Sequence, residues 1–298
     1  MSDFPSTAID LSRLPPPTVV EQLSFEQIYA DGLARLQVLL PGFDATVESD
    51  PAVKLLQLFA YRELLIRQQF NDRARGLMVA YAAGADLDQL AALVGVQRFL
   101  ITPANAQTGA AALYEGDDAF RARVVLAPES FSVAGPDLAY VYHAKSADPD
   151  VLDASAISPE PGEVIVSVLS RTGNGAASPA LVAKVAAIVN SRTIRPLTDL
   201  VTVQSAAIVD FAIAAQLFLF PGPDGSIVTT AAQARLDAYL ADARKLGRDI
   251  ARSAILAALH VEGVQRVELA SPPADVGIGP TQAGHCTGVQ LSVAGYGS

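Results

Sequence analysis

The chain has 298 residues, of which 51% are hydrophobic and 17% are charged, so it can bury a core and is long enough for two modest domains. Acidic residues outnumber basic ones by 31 to 21, and the net charge of -10 argues against nonspecific attraction to nucleic acid or an anionic membrane. We therefore expect protein partners, with no nucleic acid and no membrane. The single cysteine, Cys286, cannot form an internal disulfide, and the N-terminus lacks the pattern of an export signal. We expect folding in a reducing cytoplasm.

Residues 1–23 are predicted to form an extended arm, because their prolines come without any apolar period. These prolines are Pro5, Pro15, Pro16 and Pro17. From Ser24 to about Leu40, apolar residues recur mostly at steps of three and four, which predicts a helix. Pro41 and Gly42 should end this helix.

A long helix is predicted from Pro51 to Ala83. Asp50 is a capping residue, and Pro51 stands at the first helical position, where its missing N–H costs nothing. Only Gly76 interrupts the helix-forming residues that follow. At about 1.5 Å per residue, about 33 residues would make a rod of about 50 Å.

The surface of this predicted helix indicates contacts with other chains. Its apolar residues form two adjacent stripes, and such a broad arc needs more than one neighbouring helix to cover it. Five basic side chains stand against two acidic ones over 51–83, which indicates either an acidic partner surface or a solvated face with incidental arginines. The candidate interface residues are Leu56, Phe59, Arg62, Ile66, Arg67, Phe70, Arg73 and Leu77.

The predicted fold class is α+β, with a helical N-terminal region and two small mixed α+β units after it. We expect a helical domain over 24–105, a middle domain over 106–205 and a C-terminal domain over 206–298. A Thr/Gly/Ala/Asn stretch over 102–112 is predicted to be a connection. The middle unit should contain a hairpin, a helix and a strand, at 150–157, 163–170, 178–192 and 197–204. The last unit should contain three strands and two helices, at 206–220, 229–246, 249–259, 264–270 and 289–295.

Motifs for chemistry are absent from the sequence, so we predict no catalytic residue, no cofactor and no metal site. The three histidines, His143, His260 and His285, lack the spacing of metal ligands. The acids Asp148, Asp150 and Asp153 lack the glycine and the glutamate of a calcium loop. Two alternatives stay open: an enzyme with a noncontiguous site, and an adaptor outside any virion that binds through the long helix. The enzyme could bring together Asp249, Arg252 and His260, or the acids at 148–153.

Several long strings, in order along the chain, resemble the baseplate J-like proteins of contractile-tailed phages and related tail-like particles. These strings lie at 48–98, 120–175, 195–204 and 246–272, and include ESDPAVKLLQLFAYRELLIRQQF, FRARVVLAPESFSVAGPDLAYVYHAK, RPLTDLVTVQ and LGRDIARSAILAALHVEGVQRVELASP. The resemblance covers most of the chain. It implies a structural protein and not an enzyme, located in the tail baseplate and assembled in the bacterial host cytoplasm.

The resemblance also implies a set of partners. Two copies of the chain would join one copy of the smaller tail protein I in a wedge, and six wedges would surround the central hub and spike. The long helix would then sit in a helical bundle shared between chains. The C-terminal units would meet those of other copies and close the ring, and the stretch at 102–112 would act as a joint when the tail contracts. Contacts with the sheath-initiating lysozyme-like protein are also implied.

Overall fold

A computed structural model of the chain describes residues 11, 22–43, 47, 49–132, 136–221 and 224–296. The arm predicted over 1–23 therefore lies almost wholly outside the described residues. The chain divides into two compact units, Met1–Val125 and Leu126–Ser298. The first is mainly helical and the second contains two three-stranded sheets, which confirms the predicted α+β class. The domain limits at 105 and 205 stay predictions.

Four helices and a two-stranded sheet make up the described part of the first unit. They are α1 (Phe25–Leu39), α2 (Pro51–Gly76), α3 (Gly84–Ala92), β1 (Leu100–Thr102), β2 (Leu113–Tyr114) and α4 (Asp117–Leu126). The first two helices begin as the sequence predicts, because the side chain of Ser24 accepts the Gln27 N–H and that of Asp50 accepts the Ala52 N–H. Buried residues of this unit include Val53, Ala60, Ala82, Leu87, Ala91, Val96, Phe120 and Val124.

The long helix is shorter than predicted. It ends at Gly76 after 26 residues, about 39 Å, and residues 77–81 form turns, so the prediction of helix up to Ala83 was wrong. A Cβ atom on residue 76 would lie 2.9 Å from Oδ2 of Asp86 in α3. Glycine therefore lets the Asp86 carboxylate come close to the end of α2, and glycine is also a weak helix former.

The stretch over 102–112, which the sequence predicts to be a connection, joins β1 and β2 as the loop of a hairpin. Its role as a joint stays a prediction. β1 pairs antiparallel with β2, and a bridge between Asn105 and Ala110 continues the pairing toward the turn. The Asn105 side chain accepts the backbone N–H of Gln107 and of Thr108. Such local side-chain bonds give a definite shape to a polar segment that has no apolar period.

The first half of the second unit is one sheet with helices on one face. Its elements are a 3₁₀ turn (Ala127–Phe131), α5 (Asp137–Lys145), β3 (Val151–Ile157), β4 (Glu163–Ser170), α6 (Pro179–Val189) and β5 (Leu200–Ser205). The sheet order is β3-β4-β5, with the first pair antiparallel and the second parallel. This confirms the predicted hairpin, helix and strand. Helix α5 could not be predicted from the sequence, because its nine residues hold too few turns for a clear apolar period.

The second half is also a three-stranded sheet with helices on one face, but its strands are longer and its first strand is the central one. Its elements are β6 (Ala207–Leu219), α7 (Gly225–Ala243), α8 (Arg252–Leu259), β7 (Val264–Ser271) and β8 (Gln282–Tyr296). The order is β7-β6-β8, with β7 antiparallel and β8 parallel to β6. Alternate residues of β6 are buried against α7 and α8, as a sheet covered on one face requires. The predicted strand at 289–295 is the end of β8, whose first seven residues lack an apolar alternation.

The two sheets of the second unit touch through a small apolar cluster. Leu169, Ala206 and Ala283 are buried there together. Two hydrogen bonds flank the cluster, one from Ser155 Oγ to the Pro280 carbonyl at 2.7 Å and one from the Leu246 N–H to Asp153 at 3.0 Å. These contacts join both halves into one compact body.

Candidate assembly interface

One face of α2 is used within the chain. Val53, Ala60 and Asn71 are buried on this face, and α2 also packs against α1. Leu56 is half-buried, and its Cδ1 would lie 3.1 Å from a Cβ added at Gly32 of α1. Glycine at position 32 thus lets the two helices approach closely, because a larger side chain would displace Leu56.

The opposite side of α2 carries a line of exposed side chains, which we call the outer seam. It consists of Phe59, Arg62, Ile66, Phe70 and Arg73 of α2, together with Leu77, the residue that caps the C-terminal end of the helix. Their separations of three or four residues keep them on one side of a helix with about 3.6 residues per turn. The apolar members are exposed by 66%, 62%, 58% and 77% in chain order, so none of them is part of the core of this chain.

The outer seam combines apolar contact area with positive charge. From Phe59 to Leu77 it is about 27 Å long at about 1.5 Å per residue. Arg62 and Arg73 are both exposed, and neither forms an ion pair with any residue that the structure describes. Leu55, Leu58 and Leu65 are also exposed and lie beside the seam. A partner that covers this surface must offer apolar side chains and acceptors for two guanidinium groups.

Two of the eight candidate residues do not lie on the outer seam. Leu56 faces α1, as described above. Arg67 forms an ion pair with Glu63 at 2.6 Å, and both residues line the cleft between α1 and α2. Both side chains are about half exposed, so this pair contributes little to stability. The spacing of the sequence placed these residues on the right helix, but only the position of α1 shows which side they occupy.

A second exposed apolar set, which was not predicted from the sequence, lies on the β1–β2 hairpin. It consists of Leu100, Ile101, Leu113 and Tyr114. The sequence signal for this set is a pair of adjacent apolar residues on each side of the 102–112 stretch. An isolated two-stranded sheet is marginally stable, and this one is held by side chains from the rest of the unit. Arg98, for example, donates from Nη1 to the Glu115 carbonyl at 2.6 Å.

The residues of the noncontiguous enzyme hypothesis have structural partners instead. Asp249 accepts the Ile278 N–H at 2.7 Å, and the Arg252 guanidinium donates to the carbonyls of Leu269 and Pro272. His260 is exposed at the end of α8. These bonds shape the loop between β7 and β8, and they leave no evident acid–base pair.

The acids at 148–153 also act within the fold. Asp153 pairs with Lys145, and Asp150 accepts the Ser170 hydroxyl at 2.8 Å. Burial acts to raise the pKa of Asp148, but hydrogen bonds from Lys184 and from the Asp150 N–H lower it below its ordinary value. Across the described ranges, no group of three His, Cys, Asp or Glu side chains is arranged to hold a metal ion.

Comparison with known proteins identifies the family. Three family models match: the Baseplate J-like N-terminal domain over residues 48–105, the Baseplate J-like central domain over 132–205, and the Baseplate J-like protein C-terminal domain over 211–292. The chain belongs to the baseplate J-like family. Baseplate protein J of Escherichia phage P2 is 49% identical over 296 residues, which cover 96% of this chain and 98% of that protein. The resemblance found in the sequence is thereby confirmed.

A solved structure also matches in part. It is the cryo-EM structure of the anti-feeding prophage baseplate, 6-fold symmetrised, with a TM-score of 0.37 and 15% identity. The match covers 51% of this chain and 36% of that chain, and a likeness this partial adds nothing to the assignment.

Family membership gives the chain its general role. It is a structural baseplate protein and not an enzyme, and its place is the virion baseplate. In the part of the chain that the structure describes, no helix is long and apolar enough to cross a membrane.

Proposed function

We propose that this chain is a wedge protein in the baseplate of a contractile phage tail or a tail-like particle. Two copies would join one copy of the smaller tail protein I, and the wedges would form a ring around the hub and spike. The observation that carries this proposal is the outer seam of α2. It is an apolar surface about 27 Å long that no described residue of the chain covers.

The form of the seam favours a helical partner. Positions separated by three and four residues form the line along which helices of a bundle meet. The apolar side chains would supply most of the contact energy, and the two arginines would select a partner with carboxylates or free carbonyls opposite them. A second copy of α2 and a helix of tail protein I would together cover both the seam and the leucines beside it.

The second unit would complete the ring. In this arrangement its sheets meet those of other copies, and the ring contacts the sheath-initiating lysozyme-like protein. The ring holds the tail together before contraction and helps to transmit the trigger when the host is engaged. Assembly would take place in the host cytoplasm before the virion is complete.

The test is co-expression of the chain with the adjacent tail genes, followed by native mass measurement of the purified complex. The unmodified chain should give a complex with two copies of itself and one smaller tail protein. The double variant Phe59→Ala/Ile66→Ala should lose this complex, because each truncation of a buried side chain costs about 3 kcal/mol. Both side chains are exposed in the isolated chain, so its own thermal stability should not change.

A matched control uses the same helix. Gln68→Ala/Asp72→Ala changes two exposed side chains away from the seam and should leave the complex intact. A normal complex with the Phe59/Ile66 double variant would refute the role of the seam. If the unmodified chain stays alone beside its neighbours, the wedge proposal itself fails.

A further inference from the structure

The last strand, β8, is an edge strand without the usual protection. In the order β7-β6-β8 it pairs only with β6 on one side, and a bridge from Leu246 to Ala283 covers the start of its other side. Beyond that bridge, the described residues provide no strand that pairs with the outer edge of β8. From Gln282 to Tyr296 there is no Asp, Glu, Lys, Arg or Pro. Natural edge strands usually carry such residues, because unpaired backbone groups otherwise attract another strand.

A groove lies along the same edge. Val289, Leu291 and Val293 point toward α7 and, with side chains such as Thr229 and Gln233, line an open groove of about 750 Å³. The alternate residues Gln290 and Ser292 are exposed on the other face of the sheet. An added strand would thus find unpaired backbone at the edge and an apolar surface for every second side chain.

The part of β8 next to this groove is regular. The pairing with β6 shifts near Thr287 and near Ala294, and between these irregularities Gly288 to Val293 stay in register with Ala212 to Leu217. Bulges commonly mark the limits of a usable edge, because the extra residue interrupts pairing and bends the strand. The available length is therefore about six residues, close to an ordinary strand.

We propose that this edge pairs with the β8 strand of a second copy of the chain, antiparallel and centred on Leu291, so that two three-stranded sheets become one of six strands. In this register Leu291 lies opposite Leu291 of the partner subunit. Val289 lies opposite Val293 of the partner subunit, and Gln290 opposite the partner's Ser292. Apolar residues then meet on the groove face and polar residues on the open face.

A second copy fits this edge better than a charged peptide does. The strand offers no charge with which an acidic or basic segment could pair, whereas its polarity pattern is the same when read in either direction from Leu291. The two-fold axis of an antiparallel pair is perpendicular to the sheet, so both α7 helices lie on one face and the two grooves become one. The pairing rests on the proposed wedge, which brings two copies together and raises their local concentration.

Cysteine cross-linking tests the register in the full chain, co-expressed with the adjacent tail genes. Cys286→Ser removes the native thiol, which burial makes less reactive by raising its pKa and which bonds to the Gly288 carbonyl. In that background Leu291→Cys should form a disulfide between two copies, because the Cβ atoms of directly opposite residues can approach to about 4.5 Å, the upper end of the range that a disulfide spans. Val293→Cys alone is the matched control and should not form one, whereas Val289→Cys/Val293→Cys should. Absence of the 291 cross-link, or an equal yield at 293 alone, would overturn the proposal.

Charged substitutions on the exposed face of β8 give an independent test of the pairing register. Gln290→Lys/Ser292→Lys places like charges opposite each other at two related positions and should lower the yield of the 291 cross-link by about tenfold. Gln290→Lys/Ser292→Glu places opposite charges there and should retain the yield. Equal losses in both variants would show that the strands do not pair in this register.

The outcomes separate this inference from the wedge proposal. Loss of the complex in Phe59→Ala/Ile66→Ala reports on the outer seam, and the yield at position 291 reports on β8. If no complex forms with the tail proteins, the same position-specific cross-linking is measured on the isolated chain at high concentration. If the complex forms but the 291 cross-link does not, the wedge stands and the β8 pairing is wrong.

Discussion

Removal of Arg123 should have the largest effect on the stability of the first unit. Its guanidinium binds the Glu115 carboxylate through Nη2 and Oε2 at 2.6 Å and through Nε and Oε1 at 3.0 Å. Both side chains are about 6–7% exposed. Arg123 also donates to the Gln97 carbonyl at 2.7 Å and lies 3.9 Å from the centre of the Phe99 ring. One residue of α4 thus holds both ends of the hairpin in place.

The expected loss in the free energy of unfolding follows from the burial of this ion pair. Arg123→Met keeps most of the apolar volume but leaves the Glu115 carboxylate buried, with the Phe99 N–H, 3.3 Å from Oε2, as a hydrogen-bond donor. Breaking a buried pair in this way costs about 3–5 kcal/mol, because the remaining charge has no counterion and little water. The double variant Glu115→Leu/Arg123→Met removes both charges and should cost less than Arg123→Met alone. The coupling energy should be at least about 2 kcal/mol.

Urea unfolding of the full chain, followed by far-UV circular dichroism and by hydrogen exchange at the hairpin amides, measures these differences. Two units can give two transitions, and the exchange data assign the change to the first one. Arg75→Met, at an exposed position near the end of α2, is the control and should cost less than about 0.5 kcal/mol. The reasoning is refuted if the losses of unfolding free energy from Arg123→Met and from Glu115→Leu simply add in the double variant. It is also refuted if Arg123→Met lowers the free energy of unfolding by less than about 1 kcal/mol.

Three further predictions concern the second unit. Gly175→Ala should destabilise it by about 2 kcal/mol in urea unfolding, because residue 175 has φ +106° and a Cβ there would lie 2.7 Å from a buried Leu169 methyl group; an unchanged midpoint would contradict this. Ser178→Ala should cost about 1 kcal/mol, since its hydroxyl caps α6, and Ser178→Asp should restore most of the loss. The pKa of Asp148 is lowered, so its pairing with Lys184 stabilises the fold above the ordinary carboxyl pKa and is lost as the pH falls through the lowered value. The stability difference between the unmodified chain and Lys184→Met should therefore be present at neutral pH and vanish in acid, and a pH-independent difference would contradict the assignment.

The start of several elements could be predicted from the sequence because short-range chemistry decides it. Asp50-Pro51 and Ser178-Pro179 begin helices through a side-chain cap and a proline that needs no N–H partner. The hairpin of β3 and β4 follows from alternation around a turn. The six seam residues could be chosen for the same reason, since their spacing alone places them on one side of a helix.

Other features are decided only by the tertiary structure, because they depend on residues that are far apart in the chain. The position of α1, which comes close to Leu56 at Gly32, places Leu56 and Arg67 outside the outer seam. The end of α2 lies where the Asp86 carboxylate of α3 approaches Gly76. The full length of β8 depends on its pairing with β6, about seventy residues earlier in the chain. Local propensity is set by neighbours within a few residues, whereas burial and strand pairing are set by the distant segment that packs against an element. A single sequence does not show which distant segment that is.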